Sequence, residues 1–592
     1  MAEPAAKSET LPRWNLTDLY PGIDSPAIGE DLAAARGESK AFRREFEGRL
    51  ASLDGDALAA SVRRYEAIQE RLGRVISYAQ LVYAENMTDP AHARFYQSSQ
   101  ERVTDISVEL LFFTLEINRI DDARLEAQLR SDALARYRPW LEQVRVFRPH
   151  QLKDDLERLL HEKSVTGHSA WSRDFDESIA DLRFDVGGKR LTCDEALNLL
   201  TDPKVETRKA AAIEIGRVFG KHRRHFALIA NILAKDKEIE DRWRRYARPV
   251  SSRNLANQVE DEVVDALVAA VRGSYADLSH RYYRLKAEWF GGERLDYWDR
   301  NAPLPDDTDR SVTWPQGTKI VLEAYARFSP DLAALGLRFF EGDWIDVPPR
   351  PGKSPGAFAH PTVPSAHPYL LLNWYGKTRD VMTLAHELGH GVHQLLAAPQ
   401  GPLLSDTPLT LAETASVFGE MLTFQSLLAS ETDPQRRRAL LAGKVEDMLN
   451  TVVRQTAFHE FETRVHAERR EGELMPERIA EIWMDVQTES LGPALRFDDG
   501  YRWYWAYIPH FIHTPFYVYA YAFGDCLVNS LYAVYRDSEQ GFARKYLDML
   551  RAGGSKRHRE LLAPFGLDAS DPAFWRKGLS LIGDMIDELE RL

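Results

Sequence analysis

Apolar residues recur at three- and four-residue spacing along most of this chain, a period that commits it to helices rather than sheets. The pattern runs from about Pro26 to Phe290 and is clearest in Asp56–Tyr83 and Pro203–Ala247. One hairpin is expected inside it, where Gly187 and Gly188 separate Leu182–Val186 from Lys189–Leu191. After Gly291 the texture changes. Seven prolines fall between Pro348 and Pro368, with Gly352 and Gly356 among them, which excludes a continuous helix there. An extended run, Tyr369–Tyr375, follows, then a turn at Gly376, and helical spacing resumes at about Thr378 and dominates to the end. A Pro-rich stretch that leads straight into a strand and a histidine-bearing helix reads as an ordered loop beside a site.

The length of 592 residues allows a large core without covalent staples. The two cysteines, Cys193 and Cys526, have no metal-ligand spacing and are not expected to pair. A formal charge of −14 disfavours nucleic acid and anionic membrane as partners, because phosphate attracts basic surfaces. No run of about 18 apolar residues offers a membrane span. The stretch Met1–Leu16 lacks the apolar core of a secretory signal, so the expected location is the cytoplasm.

The densest chemistry lies in Val381-Met-Thr-Leu-Ala-His386-Glu387-Leu-Gly-His390-Gly-Val-His393, which contains H-E-x-x-H. At about 100° per residue, Val381, Leu384, Ala385, Leu388, Val392 and Leu395 form one apolar stripe. His386, His390 and His393 fall opposite it, with Glu387 at their flank and Asp380 in the first turn, where its charge suits the helix dipole. A pair of hydrogen-bonded core histidines would not need a carboxylate directly after the first. Imidazoles at i and i+4 project side by side and can meet one Zn²⁺ at about 2.0–2.1 Å each. Glu387 is then placed to act as general base on a metal-activated water without ligating.

A catalytic zinc needs a third protein ligand and one open position. The spacing that would put a third histidine six residues beyond His390 meets Leu396 instead. Three histidines on one helix, with His393 as the third, make a poor tetrahedron. Glu413 is the better candidate: it lies 23 residues beyond His390, and the small neighbours Ala412 and Ala415 permit two helices to approach closely. Glu420, seven residues further on the same face, is either a surface carboxylate or a partner that orients a ligand histidine.

These motifs resemble the zinc oligopeptidases of the oligoendopeptidase F family and, more distantly, thimet oligopeptidase. The resemblance is carried by Pro368-Tyr-Leu-Leu-Leu-Asn373-Trp-Tyr-Gly376 with Arg379–His393, by Arg350-Pro-Gly-Lys353-Ser-Pro-Gly356-Ala-Phe358 and by Glu413-Thr-Ala-Ser416. Tyr507-Ile-Pro-His510 with Pro515–Gly524, and more weakly Trp14–Tyr20, extend it over nearly the whole chain. It implies a mainly α fold, in which two large helical halves enclose a deep substrate channel and a small sheet lies beside the zinc-binding helix. It implies one Zn²⁺ per chain on His386, His390 and Glu413, Glu387 as general base, and short peptides as substrates. The chain divides along its length into an N-terminal helical region, 1–200, and a catalytic region, 201–592, which work as one enzyme and not as independent modules.

Eleven aromatic residues fall in Tyr501–Phe523. Most are expected in the core. His510, His513, Tyr517, Tyr519 and Tyr521 are also available as neutral donors to the oxyanion that peptide hydrolysis generates. The family uses a histidine and a tyrosine from this region, which points to His510 and to Tyr517 narrowly before Tyr519, with His513, Tyr519 and Tyr521 as substrate contacts. The strand at Tyr369–Trp374 is expected to pair with an extended peptide. Two other readings stand beside the endopeptidase: an exopeptidase, which needs a charged group for the substrate terminus, and a non-catalytic peptide-binding protein, against which the intact Glu387 argues.

Overall fold

The computed structural model describes residues 11–304, 311–537 and 540–592. Part of the stretch before Leu16 that bears on a secretory signal lies outside these residues. Helices dominate, and among the described residues no helix is long and apolar enough to cross a membrane. Their starts follow local chemistry. Asp54 accepts from the Ala57 N–H at the head of Gly55–Glu85, and Asp89 caps Pro90–Ser107, whose first residue is a proline with no N–H to satisfy. The 40-residue helix Val205–Arg244 ends where Arg245 turns left-handed at φ 63°.

Seven short strands are present among the described residues: β1 (Phe184–Val186), β2 (Lys189–Leu191), β3 (Leu295–Asp296), β4 (Ile345–Asp346), β5 (Phe358–His360), β6 (Tyr369–Leu371) and β7 (Leu495–Arg496). The β1–β2 hairpin sits where the two glycines placed it, and Gly187 and Gly188 both take positive φ (58° and 77°), as a two-residue turn of this kind requires.

The chain forms two compact units built from interleaved segments. The first comprises Met1–Arg148, Asp309–Ser430 and Ser538–Phe565; the second comprises Pro149–Thr308, Glu431–Asp537 and Gly566–Leu592. The second unit holds a large aromatic and aliphatic core that includes Phe219, Phe226, Phe461, Trp483 and Trp505. Cys193 and Cys526 are both buried there as free thiols.

The first unit contains a three-stranded sheet of order β4-β6-β5, parallel on one side of β6 and antiparallel on the other. This corrects one expectation. The strand at Tyr369–Trp374 cannot accept a peptide, because β6 already has a neighbour on each side, and Trp374 N–H donates back to Val347. The Asn373 amide further ties this run to the carbonyls of Ser354 and Gly356. The edge strands are β4 and β5. The Pro-rich loop that carries β5 is anchored by one buried carboxylate: Asp346 accepts two bonds from Arg350, at 2.6 and 2.9 Å, and pairs with Lys353 at 2.6 Å. Lys353 also donates to the backbone carbonyls of Asp346, Pro348 and Leu372, so no donor of this buried ammonium is wasted.

Candidate active site

The H-E-x-x-H sequence lies on the helix Thr378–Ala397, at the head of which the Asp380 carboxylate accepts from the N–H groups of Tyr375 and Lys377. The helix packs against Thr414–Ser430, and the close approach is made possible by Gly389. A Cβ there would lie 2.4 Å from the Ala415 carbonyl oxygen and 2.7 Å from Ser416 Cα. Gly391 makes a similar allowance for the Phe339 ring. Tyr325, fully buried, donates from its hydroxyl to the Ala385 carbonyl at 2.6 Å and locks the helix one residue before His386.

This packing brings His386, His390 and Glu413 together. One ligating atom from each lies within 4.8 Å of the other two, and no other His, Cys, Asp or Glu group among the described residues meets that condition. Glu413 Oε2 stands 3.4 Å from Nε2 of each histidine, and the two imidazole rings are nearly perpendicular, 4.9 Å apart. Ser416 donates to the same carboxylate oxygen at 2.6 Å. Glu420 lies 3.3 Å from His386 Nδ1, the nitrogen that faces away from Glu413.

The electrostatics follow from these contacts. Burial pushes the Glu413 carboxyl up, but the bond and charge of His390, the charge of His386 and the Ser416 hydroxyl outweigh it and bring the carboxyl down to about 2. For His386, burial opposes ionisation, yet Glu420, Glu413 and Glu387 together hold its pKa above the usual histidine range. Glu387 behaves in the opposite way. It is buried, burial raises its carboxyl, and the neighbouring histidines offset this only in part. The backbone N–H of Ala359, on the edge strand β5, also favours the ionised form of Glu387. His393, expected on the polar side, is buried instead, 3.4 Å from Thr407, and takes no part in the trio.

The aromatic segment belongs to the second unit. His510 and His513 bound a short helix, and Tyr521 lies in the first turn of Tyr519–Asp537. His510 Nε2 is 3.2 Å from the Tyr521 hydroxyl, and the His510 and Tyr517 rings stack 6.1 Å apart at 26°. Burial, with the charges of Arg454 and His513, holds His510 below the usual histidine range, so it is neutral at pH 7. His513 is exposed and bonded to Asp176 at 2.8 Å. Tyr519 does not meet its expectation as a substrate contact: it is fully buried and its hydroxyl accepts from Asn257 at 2.9 Å.

A model of peptidase family M3 matches residues 198–581. The chain belongs to peptidase family M3. An oligopeptidase F model matches residues 116–184 as well, which places the chain in the oligoendopeptidase F branch of these metallopeptidases. Oligopeptidase PepF of Bacillus subtilis is 26 % identical over 98 % of this chain and 87 % of its own. An oligoendopeptidase F homologue of Borreliella burgdorferi is 24 % identical, with 98 % of each chain covered. Among solved structures, oligoendopeptidase-F of Enterococcus faecium superposes with a TM-score of 0.71 at 22 % identity, covering 96 % of this chain and 98 % of that one. A candidate peptidase of Chlamydophila abortus reaches 0.87 at 22 % identity, with 98 % of each covered. These superpositions speak for the fold. Membership of family M3 makes the protein a metallopeptidase acting on peptides with a divalent metal.

Three residues beside the trio carry no role that the sequence alone assigns. Ser416 carried a faint signal, three residues after Glu413 on the same helical face. Gly389 carried a better one, since a glycine inside a strongly amphipathic helix marks a close approach. Ala359 carried none, because only its backbone takes part.

Proposed function

We propose that the protein is a zinc-dependent oligoendopeptidase that hydrolyses internal bonds of short unstructured peptides, with one zinc on His386, His390 and Glu413. The observation that carries this reading is the convergence of two imidazoles and one carboxylate within 4.8 Å, with a second carboxylate, Glu387, buried beside them. The donor set suits the ion: zinc takes nitrogen and oxygen ligands, and three protein ligands leave a position open for chemistry. When bound, zinc supplies Lewis acidity, which lowers the pKa of water and polarises a carbonyl.

The rest is the work of the chain. Glu387 accepts a proton from the attacking water and passes it to the leaving amine, a role suited to a carboxylate made more basic by burial. The Ala359 N–H favours the ionised form of that carboxylate. Glu420, on Nδ1 of His386, leaves Nε2 free to ligate. His510 and Tyr517 donate to the developing oxyanion, and Tyr521 and His513 contact the peptide. An extended peptide adds to the edge strand β5, beside Glu387, by main-chain hydrogen bonds. A folded protein presents such a segment only after unfolding, at about 5–15 kcal/mol, which favours short flexible substrates.

The test is to digest a mixed-length peptide library with protein of measured zinc content and read the products by mass spectrometry. Internal cuts that stop on chelation support the proposal. Losses of single terminal residues would make it an exopeptidase, and silence with zinc bound would make it a binding protein. Rapid cleavage of a stable folded protein, absent in Glu387→Gln, would overturn the substrate limit.

A further inference from the structure

Between the helix His510–His513 and the helix Tyr519–Asp537 the chain reverses in a four-residue turn. The Thr514 carbonyl accepts from Tyr517 N–H at 3.0 Å, with Pro515 second in the turn and Phe516 third. Phe516 has φ +59°. These are the marks of a type II turn, whose third position usually requires glycine. Proline in second place suits type I and type II equally, so it does not choose between them. What separates the two is the direction of the central peptide, here the one joining Pro515 to Phe516.

That peptide is held at both ends. Its N–H donates to Glu462 Oε1 at 2.8 Å, and its carbonyl accepts from Arg253 Nε at 3.3 Å. Turning it over would break both bonds. The Phe516 ring is fixed as well, against His459 at 5.8 Å and His466 at 4.9 Å, which share the helix Gln455–Glu471 with Glu462. A bulky residue stays left-handed only where its surroundings insist on it, and here they do. We propose that Glu462 is a positioning residue for hydrolysis: with Arg253 it pins the Pro515–Phe516 peptide so that Tyr517 folds back onto His510. The proposal rests on the reading of Tyr517 and His510 as donors to the oxyanion.

Further observations agree. The Arg253 guanidinium also lies 5.9 Å from the Tyr517 ring, so one residue touches both the pinned peptide and the side chain it aims. Tyr517 and Tyr521 are 5.2 Å apart, and together with His510 they form one cluster whose geometry depends on the turn. Glu462 is almost fully buried, its second oxygen has no hydrogen-bond partner, and burial raises its carboxyl to about 8. At neutral pH it is therefore an uncharged acceptor. Glutamine reproduces that acceptor, whereas leucine fills the space without it.

The experiment is a double-mutant cycle on the zinc-loaded full chain with a short peptide substrate. Glu462→Leu should lower kcat about tenfold or more while KM stays within about threefold, because a misplaced donor is missed chiefly in the transition state. Glu462→Gln should restore kcat to within about twofold of the parent, since the acceptor returns. In a Tyr517→Phe background, Glu462→Leu should cost little more, because its effect runs through the hydroxyl already removed. Losses that multiply, or an unchanged kcat in Glu462→Leu, overturn the positioning role while leaving a costly Tyr517→Phe, and so the donor reading, in place. An unchanged kcat in Tyr517→Phe removes the donor reading and the positioning role with it. Should Glu462→Leu fail to fold, as thermal unfolding will show, Arg253→Met releases the other end of the same peptide and is held to the same cycle.

Discussion

Two helices of this molecule each carry two histidines that belong to a set with one glutamate, and the sets behave in opposite ways. In the first unit, His386 and His390 meet Glu413 at 3.4 Å, and the carboxyl is driven down to about 2. In the second, His459, Glu462 and His466 lie on one buried helix face, where burial lifts the glutamate to about 8 and lowers the histidines to about 4 and 3. The residue types are the same. The first set converges because its carboxylate sits at the head of another helix, Thr414–Ser430, which Gly389 lets in, and opposite charges then offset the cost of burial. The second set points its imidazoles at a phenylalanine ring, so each group is desolvated alone and neutralises. An inventory of histidines and acids is therefore no metal site until their lone pairs meet.

The sharpest test of that contrast is metal content. Glu413→Ala should lose most bound zinc and all measurable hydrolysis, whereas Glu462→Gln should retain about one zinc per chain by atomic absorption. Zinc lost from both, or from neither, would dissolve the contrast. Next in size, Glu387→Gln should keep its zinc and lose about 10²–10⁴-fold in kcat, since in the proposed mechanism it removes the base and leaves the ligands. Smaller still, Gly389→Ala should destabilise the first unit by about 1–3 kcal/mol, because the Ala415 backbone cannot move aside without separating the helices. Thermal unfolding measures the loss, and zinc affinity should fall with it.

The smallest effect concerns pH. Glu462 has a folded pKa near 8, above its ordinary value of 4.5, so the folded state holds the extra proton. Its contribution to stability is complete below pH 4.5 and is lost as pH rises through about 8. Of the groups facing it, Arg253 and Lys237 oppose the extra proton only in part, and burial keeps His459 and His466 neutral in the folded state. Stability measured by urea unfolding should therefore fall between about pH 6.5, above which the unfolded histidines are neutral too, and about pH 8, and Glu462→Gln should flatten the slope.

The contrast also explains what could be read in advance. The helix bearing His386 and His390 was legible because its histidines repeat at the helical period, and the β1–β2 turn because two glycines stand together. Glu413 was legible through its small neighbours. The place of β6 was not, because strand order depends on pairing between distant segments, and no local pattern in Tyr369–Trp374 says that both its edges are taken. Nor was the choice among Tyr517, Tyr519 and Tyr521. Alternation along the sequence cannot tell which faces the core, since a single peptide at Pro515–Phe516 sets their direction.

The interleaving of the two units has a consequence for how the protein is made. All three members of the first histidine–glutamate set have been synthesised once residue 413 is in place, yet the helix that carries Glu413's neighbours leans on a much later segment. Tyr546, on the helix Phe542–Arg551, donates to the Thr414 carbonyl at 2.8 Å and stacks on Phe418 with ring centres 4.4 Å apart. The two partners are 132 residues apart in the chain, roughly 7–26 s of translation at about 5–20 residues per second. For that interval the nascent chain carries His386, His390 and Glu413 without the buttress that seats them. A chain that stops short of Phe542 keeps His386, His390 and Glu413 while losing the wall against Thr414 and Phe418.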